Sequence, residues 1–230
     1  MPRPSFIYFD IDDTLLDHVA AQKNALRHVF GQYRCFKEID FESFSQAYSR
    51  INTGLWKDYS LGNINRDDLQ NRRFRDSILE AGADNSESES IGRDYIMAYR
   101  NEWKWIDGAR EALENLSKNY RLGFITNGFS ETQKLKIESF GLSSYSDHII
   151  ISEDVGYLKP SPEIFNYAEV LAGSKGEDVL YVGDNFMSDI QGGNSAGWQT
   201  AWYTSEKNDA LTSQANIVFS KFEQLTKTLS

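Results

Sequence analysis

Asp10, Asp12 and Asp13 crowd together, with Thr14 next and Asp17 close behind, in Phe6-Ile7-Tyr8-Phe9-Asp10-Ile11-Asp12-Asp13-Thr14-Leu15-Leu16-Asp17. Carboxylates packed this closely are costly unless a cation or a proton lies between them. The Asp10–Asp12–Thr14 set therefore points to a metal ion, while Asp13 and Asp17 read as acids at a helix start. A second acidic pair, Asp184 and Asp189, lies in Val182-Gly183-Asp184-Asn185-Phe186-Met187-Ser188-Asp189-Ile190. Hard oxygen donors of this kind suit Mg²⁺, which binds through one or two carboxylates and keeps several waters. Phe124-Ile125-Thr126-Asn127-Gly128 adds a hydroxyl, an amide and a glycine that admits close backbone approach. Thr126 is placed to hydrogen-bond a phosphoryl oxygen, helped by backbone N–H groups at the next helix start. In Gly156-Tyr157-Leu158-Lys159-Pro160-Ser161-Pro162, Pro160 excludes helix at Lys159. A lysine fixed there can neutralise an acidic nucleophile or a phosphate.

The elements that must position these groups follow from pattern. Phe6–Phe9 is an apolar run without polar alternation, which predicts a short strand buried on both faces of a parallel sheet. From Asp107 onward helix and strand alternate. Helices are expected after Gly108, over Ser130–Phe140, after Pro162, around Ile190 and at the end of the chain. Strands are expected at Arg121–Thr126, His148–Ser152, Val179–Gly183, Thr200–Tyr203 and Ile217–Phe219. Such alternation builds a Rossmann-like α/β fold, a parallel sheet with helices on both faces. Ligands of such sheets bind at the carboxyl ends of the strands, and every constellation above falls at one.

Between Asp17 and Asp107 the pattern is helical. Val19, Leu26, Val29, Phe30 and Tyr33 form one amphipathic segment; Phe41, Phe44, Tyr48, Ile51, Leu55 and Tyr59 form another. Leu69, Ile78 and Leu79, then Ile91, Tyr95, Tyr99 and Trp103, supply two more. The expected organisation is a catalytic core of residues 1–16 and 107–230 with a helical-bundle cap, residues 17–106, inserted after the first strand.

The length of 230 residues suits that arrangement, and the formal charge of −10 argues against a nucleic-acid polymer or an anionic membrane as partner. A small phosphate remains acceptable, because local charge at a pocket outweighs the average. The lone Cys35 makes no internal disulfide and fits a reducing compartment. No apolar run approaches a membrane span, and the opening segment does not read as a secretory leader. A cytoplasmic protein, monomer or homodimer, with a small-molecule partner is expected.

Asp10-Ile11-Asp12-Asp13-Thr14, Thr126 after its strand, Lys159-Pro160, and Gly183-Asp184 with Asp189 together resemble the haloacid dehalogenase superfamily, in its phosphatase branch. The helical stretch after the first signature resembles that superfamily's small helical cap. Ile125-Thr126-Asn127-Gly128-Phe129 with Gln133, and Ser152-Glu153-Asp154-Val155-Gly156, are similar to the nucleotidases acting on pyrimidine 5′-monophosphates. The resemblance implies a phosphatase in which Asp10 is the nucleophile, forming an aspartyl-phosphate. Asp12 is then general acid and later general base, protonated at first because anionic groups surround it. Mg²⁺ is implied at the Asp10 carboxylate, the Asp12 backbone carbonyl and Asp184, with Asp189 behind them orienting waters or Lys159. Thr126, Asn127 and Gly128 bind the phosphoryl group, and Lys159 steadies Asp10 and that group.

Other chemistries share these parts. A dehalogenase uses the nucleophile without metal, and Asp12 with Asp184 weighs against it. A sugar-phosphate phosphatase or phosphomutase differs only in the cap, where Arg66, Arg72, Arg73 and Arg75 are available to hold a second phosphate or to lie on a solvated helix face. A receiver-like phospho-acceptor module lacks a large helical insertion. Trp56, Tyr59, Trp103 and Trp105 offer rings for a base, though rings at helical spacing are more often core. His18 and Val19, just after the first signature, are expected at a substrate-binding hinge.

Overall fold

The computed structural model describes residues 2–206 and 208–230. In chain order the elements are β1 (Phe6–Phe9), α1 (His18–Gln32), α2 (Phe41–Ser60), α3 (Arg66–Glu80), α4 (Ser88–Arg100), α5 (Ala109–Leu116), β2 (Arg121–Thr126), α6 (Ser130–Ser139), β3 (Ile149–Ile151), α7 (Ser152–Val155), α8 (Pro162–Ala172), β4 (Val179–Gly183), α9 (Gly192–Ser195), β5 (Gln199–Tyr203), α10 (Asp209–Thr212), β6 (Ile217–Phe219) and α11 (Phe222–Leu229). They fall into two compact units: Met1–Asp17 with Lys104–Ser230, and His18–Trp103.

The first unit is a six-stranded sheet in the order β3-β2-β1-β4-β5-β6, parallel throughout. β1 is central because its side chains are apolar on both sides. Ile7 and Phe9 join one core with α5, α6 and α11, while Phe6 and Tyr8 join the opposite core with α8. Each fully buried side chain of this size contributes about 1.5–3 kcal/mol. Phe9 stands opposite Phe124 of β2 on one side and Val182 of β4 on the other. The chain leaves β1, builds outward through β2 and β3, then returns to the other side at β4. The β1/β4 boundary is thus the switch point at which such sheets open a ligand crevice.

The second unit packs α1–α4 around an aromatic interior that includes Phe36, Phe44, Tyr48, Phe74, Tyr95 and Tyr99. Its helix starts are fixed locally. Asp40 accepts from Ser43 N at 2.8 Å ahead of α2, and Asn65 with Asp68 forms a reciprocal capping box at α3. No helix among the described residues is long and apolar enough to cross a membrane.

Several details differ from expectation. Val19 and Leu79 are exposed, because helical spacing alone does not say how wide the buried stripe is. Ser152 opens α7 instead of ending β3, and the helix near Ile190 begins as a π-helical turn, Phe186–Gln191. Trp105 belongs to the sheet unit, where its ring meets Phe140 edge-on at 5.3 Å.

Candidate active site

Asp10 continues β1 by one more pairing, its N–H donating to Val182 O at 2.9 Å. The chain then turns sharply: Leu15 N and Leu16 N both donate to Ile11 O, and Asp13 takes a left-handed conformation (φ 59°) that aspartate tolerates. This turn brings the Thr14 hydroxyl between two acids, 3.0 Å from Asp184 Oδ1 and 3.4 Å from Asp10 Oδ2. The Asp184 backbone is held in turn by Trp202 of β5, whose Nε1 donates to its carbonyl at 2.7 Å.

Lys159 is buried, and its Nζ donates to Asp10 Oδ1 at 2.6 Å, Asp189 Oδ1 at 2.8 Å and Tyr181 Oη at 2.7 Å. Tyr181 Oη in turn donates a hydrogen bond to Ile125 O at 2.9 Å. Asp189 also accepts from Ser188 Oγ and from Asn185 N, so both of its oxygens are engaged. Gly183 makes this possible: a Cβ there would lie 2.5 Å from Asp189 Cβ. Asn127 fixes the lysine's backbone from both sides, Nδ2 donating to Lys159 O and Oδ1 accepting from Lys159 N, each at 2.8 Å. The Lys159–Pro160 peptide bond is cis.

One ammonium thus faces three carboxylates. Oxygens of Asp10, Asp184 and Asp189 all lie within 4.8 Å of one another. Burial raises Asp10 to about 7, the pull of Lys159 being opposed by Asp189 and Asp12. Burial likewise raises Asp184 to about 9, reinforced by Asp10, Asp189 and Asp13 and resisted by the Thr14 hydrogen bond. Burial alone would lower Lys159, but Asp10 and Asp189 outweigh it and hold the ammonium well above its ordinary range. The donor set is hard, anionic and short of positive charge, and it fits Mg²⁺. With Asp189 engaged by Lys159, Ser188 and Asn185, Asp10 and Asp184 are the carboxylates left to face a cation.

Asp12 points elsewhere. Its Oδ1 lies 2.5 Å from Lys136 Nζ and its Oδ2 accepts from Gln133 Nε2 at 2.8 Å, both on α6. A buried ammonium and an amide thus join the anionic neighbour Asp10 around it. Asn127 also differs from expectation, since its side chain spends both polar ends on Lys159. Gly128 gives its open space to Gln133, whose Cγ would lie 3.1 Å from an added Cβ. Thr126 is fully buried, and its Oγ1 has no hydrogen-bond partner among the described residues. His18 opens α1 in the helical unit, its Nδ1 2.6 Å from Tyr99 Oη.

The sequence reading assigned no role to Tyr181, Lys136 or Trp202. Tyr181 and Trp202 sit in strands that read as core, and nothing in spacing links them to the acids. Gln133 and Lys136, three apart on the helix after Thr126, carry the one available signal: polar residues on a face that also bears Ile137.

Residues 6–197 match the haloacid dehalogenase-like hydrolase family. Pyrimidine 5′-nucleotidase YjjG of Escherichia coli (strain K12) is 36% identical over 208 residues, 89% of this chain and 88% of that protein. Pyrimidine 5′-nucleotidase PynA of Streptococcus pneumoniae (strain ATCC BAA-255 / R6) is 32% identical over 200 residues, covering 86% and 83%. The magnesium-bound crystal structure of HAD-hydrolase YfnB from Bacillus subtilis superposes with a TM-score of 0.84 at 31% identity, covering all of both chains. With its central acid-tipped strand and full-length relatives, this chain belongs to the haloacid dehalogenase-like hydrolase family.

Proposed function

We propose that this enzyme hydrolyses phosphomonoesters through a covalent intermediate on Asp10, with pyrimidine nucleoside 5′-monophosphates as its substrates. The observation that carries the reading is the buried Asp10–Lys159–Asp189–Tyr181 cluster beside Asp184. It leaves one carboxylate, Asp10, at a strand tip with a fixed ammonium on one oxygen, in a cluster of three carboxyl groups and one ammonium. The nucleotide preference is supported by the relatives named for that activity.

Asp10, Asp184 and the Asp12 backbone carbonyl would hold Mg²⁺, which when bound supplies charge neutralisation between an anionic nucleophile and an anionic phosphate. An Asp10 oxygen attacks phosphorus as the bond to the leaving oxygen breaks, and Asp12 gives that oxygen a proton. Water then attacks the phosphorus of the aspartyl-phosphate, Asp12 takes the water's proton, and Asp10 is restored. A protonated carboxyl has one O–H to donate and keeps acceptor capacity, so Asp12 can serve the leaving oxygen while Gln133 and Lys136 hold its side chain. Lys159 has its three N–H groups committed and acts chiefly by holding Asp10 ionised and in place. Asn127 works through it as a positioning residue. Thr126 Oγ1, buried and without a partner among the described residues, is the hydroxyl offered to a phosphoryl oxygen. The helical unit acts as the cap that selects the leaving group, with His18 at its start, and the enzyme works in the cytoplasm on small molecules.

A panel comparing kcat/KM for dUMP, dTMP, UMP, purine nucleotides and sugar phosphates, with Mg²⁺ and with chelator, tests this reading. Highest values for the pyrimidine nucleotides and silence in chelator are expected. A sugar phosphate preferred over every nucleotide would overturn the substrate, and turnover by Asp10→Asn would overturn the nucleophile.

A further inference from the structure

The buried face of α6 carries Gln133, Lys136 and Ile137, of which Ile137 packs into the apolar core. Positions three apart lie on one side of a helix, so Gln133 and Lys136 reach a common neighbour. They take one oxygen each of Asp12: Gln133 Nε2 donates to Oδ2 at 2.8 Å, and Lys136 Nζ lies 2.5 Å from Oδ1. Both side chains are almost wholly enclosed, with residue exposures of 2% and 1%. Gln133 keeps this place although its Oε1 is buried without a hydrogen-bond partner among the described residues. A buried amide with one end unpaired and a buried ammonium are both costly where leucine or methionine would pack. Neither residue is there for stability alone.

Asp12 needs holding. Its side chain is 21% exposed and the charge of Asp10 repels it, so an untethered carboxylate would swing out to water. Donors on both of its oxygens fix its direction and its plane. Gly128 leaves the room for this, since a Cβ there would lie 2.5 Å from Gln133 Nε2. The start of α6 is anchored in turn by α7. Ser130 N donates to Glu153 Oε2 at 2.6 Å, Gly128 N donates to Ser152 Oγ at 3.3 Å, and Lys134 pairs with Asp154 at 3.0 Å. The Ser152-Glu153-Asp154 run thus steadies the helix that aims Asp12. That helix begins directly after Asn127-Gly128-Phe129, so one element sets both the phosphoryl-binding turn and the acid.

We propose that Gln133 and Lys136 are positioning residues that act through Asp12 on the leaving group, and that esters of unactivated alcohols depend on them while activated aryl esters do not. The inference rests on the reading of Asp12 as the acid. A strongly basic alkoxide leaves only as it is protonated, so it needs an acid held in line with it. A nitrophenolate carries its charge well and leaves with little help.

The test is the ratio of kcat/KM for p-nitrophenyl phosphate over phenyl phosphate, measured on the full chain with Mg²⁺. Both substrates meet the same preparation, so the ratio does not depend on how much of a variant is folded. Lys136→Met is expected to raise it at least about 10-fold, and Asp12→Asn to raise it at least as far. A wild-type ratio in Lys136→Met beside a raised one in Asp12→Asn would overturn this inference and leave the hydrolytic reading standing. A wild-type ratio in both would remove the acid role of Asp12 and this inference with it. Adding Lys136→Met to Asp12→Asn should change the ratio no further; a second rise of similar size would mean that Lys136 acts on its own and would overturn its positioning role. If Lys136→Met does not fold, Gln133→Leu takes its place. A rise of about threefold or more is then expected, and an unaltered ratio would overturn the inference.

Discussion

Each of the two units holds a cation among buried residues, and the two cations are accommodated in different ways. In the sheet unit one ammonium, Lys159, is set against Asp10, Asp184 and Asp189, and it is saturated by its partners. In the helical unit the guanidinium of Arg73 lies near the rings of Phe74 and Tyr95 and, among the described residues, pairs with no acid. The pairs of Arg72 and Arg75 with Asp76 on the same helix show that acids were available to it. A buried cation with partners is a structural necessity, because removing it strands anions. A long cation laid along aromatic faces with its end at the surface needs no acid.

The largest effect expected from this contrast is on turnover. Asp10→Asn removes the proposed nucleophile but not the packing around it, and kcat should fall about 10³-fold or more with the circular dichroism spectrum retained. Next is a matched pair of substitutions. Lys159→Met strands Asp10 and Asp189 and should cost about 3–5 kcal/mol in denaturant unfolding, whereas Arg73→Met should cost nothing. Equal losses from both would erase the distinction between the centres.

The contrast was only half legible in the sequence. Phe6–Phe9 announced a strand buried on both faces because all four residues are large and apolar, and acids at its tip could hardly be structural. Lys159 before Pro160 was similarly exposed to view. Tyr181 was not, since a tyrosine in Val-Leu-Tyr-Val-Gly reads as core, and its hydroxyl matters only once Lys159 lies across it. The turn that lifts Thr14 between Asp10 and Asp184 depends on Asp13 adopting a left-handed backbone, which no pattern signals. The Asp12–Lys136 pair joins residues 124 positions apart. In the helical unit, periodicity placed Arg72, Arg73 and Arg75 on one helix but could not say that the second alone turns inward.

Smaller effects sharpen the comparison. Tyr181→Phe deprives Lys159 of one acceptor and leaves Ile125 O unpaired, a loss of about 1–3 kcal/mol in the same assay. The pH dependence has a definite sign. Asp10 and Asp184 hold their protons more tightly folded than unfolded, since burial raises both. The metal-free protein should therefore lose stability as pH rises from about 4, the ordinary carboxylate value, to about 9, where Asp184 is ionised. Mg²⁺ should reverse this, its increment in Tm growing between pH 6 and pH 9 to on the order of 5 °C. An increment independent of pH would mean that the ion binds away from these carboxylates.

The sharpest test of the charge deficit in the sheet unit is anomalous diffraction from crystals grown with Mn²⁺ in place of Mg²⁺. A single strong peak bridging the Asp10 and Asp184 carboxylates is expected, with Lys159 still on Asp10, and the peak should vanish in Asp184→Asn. No peak between those two residues, or one that survives Asp184→Asn, would contradict it.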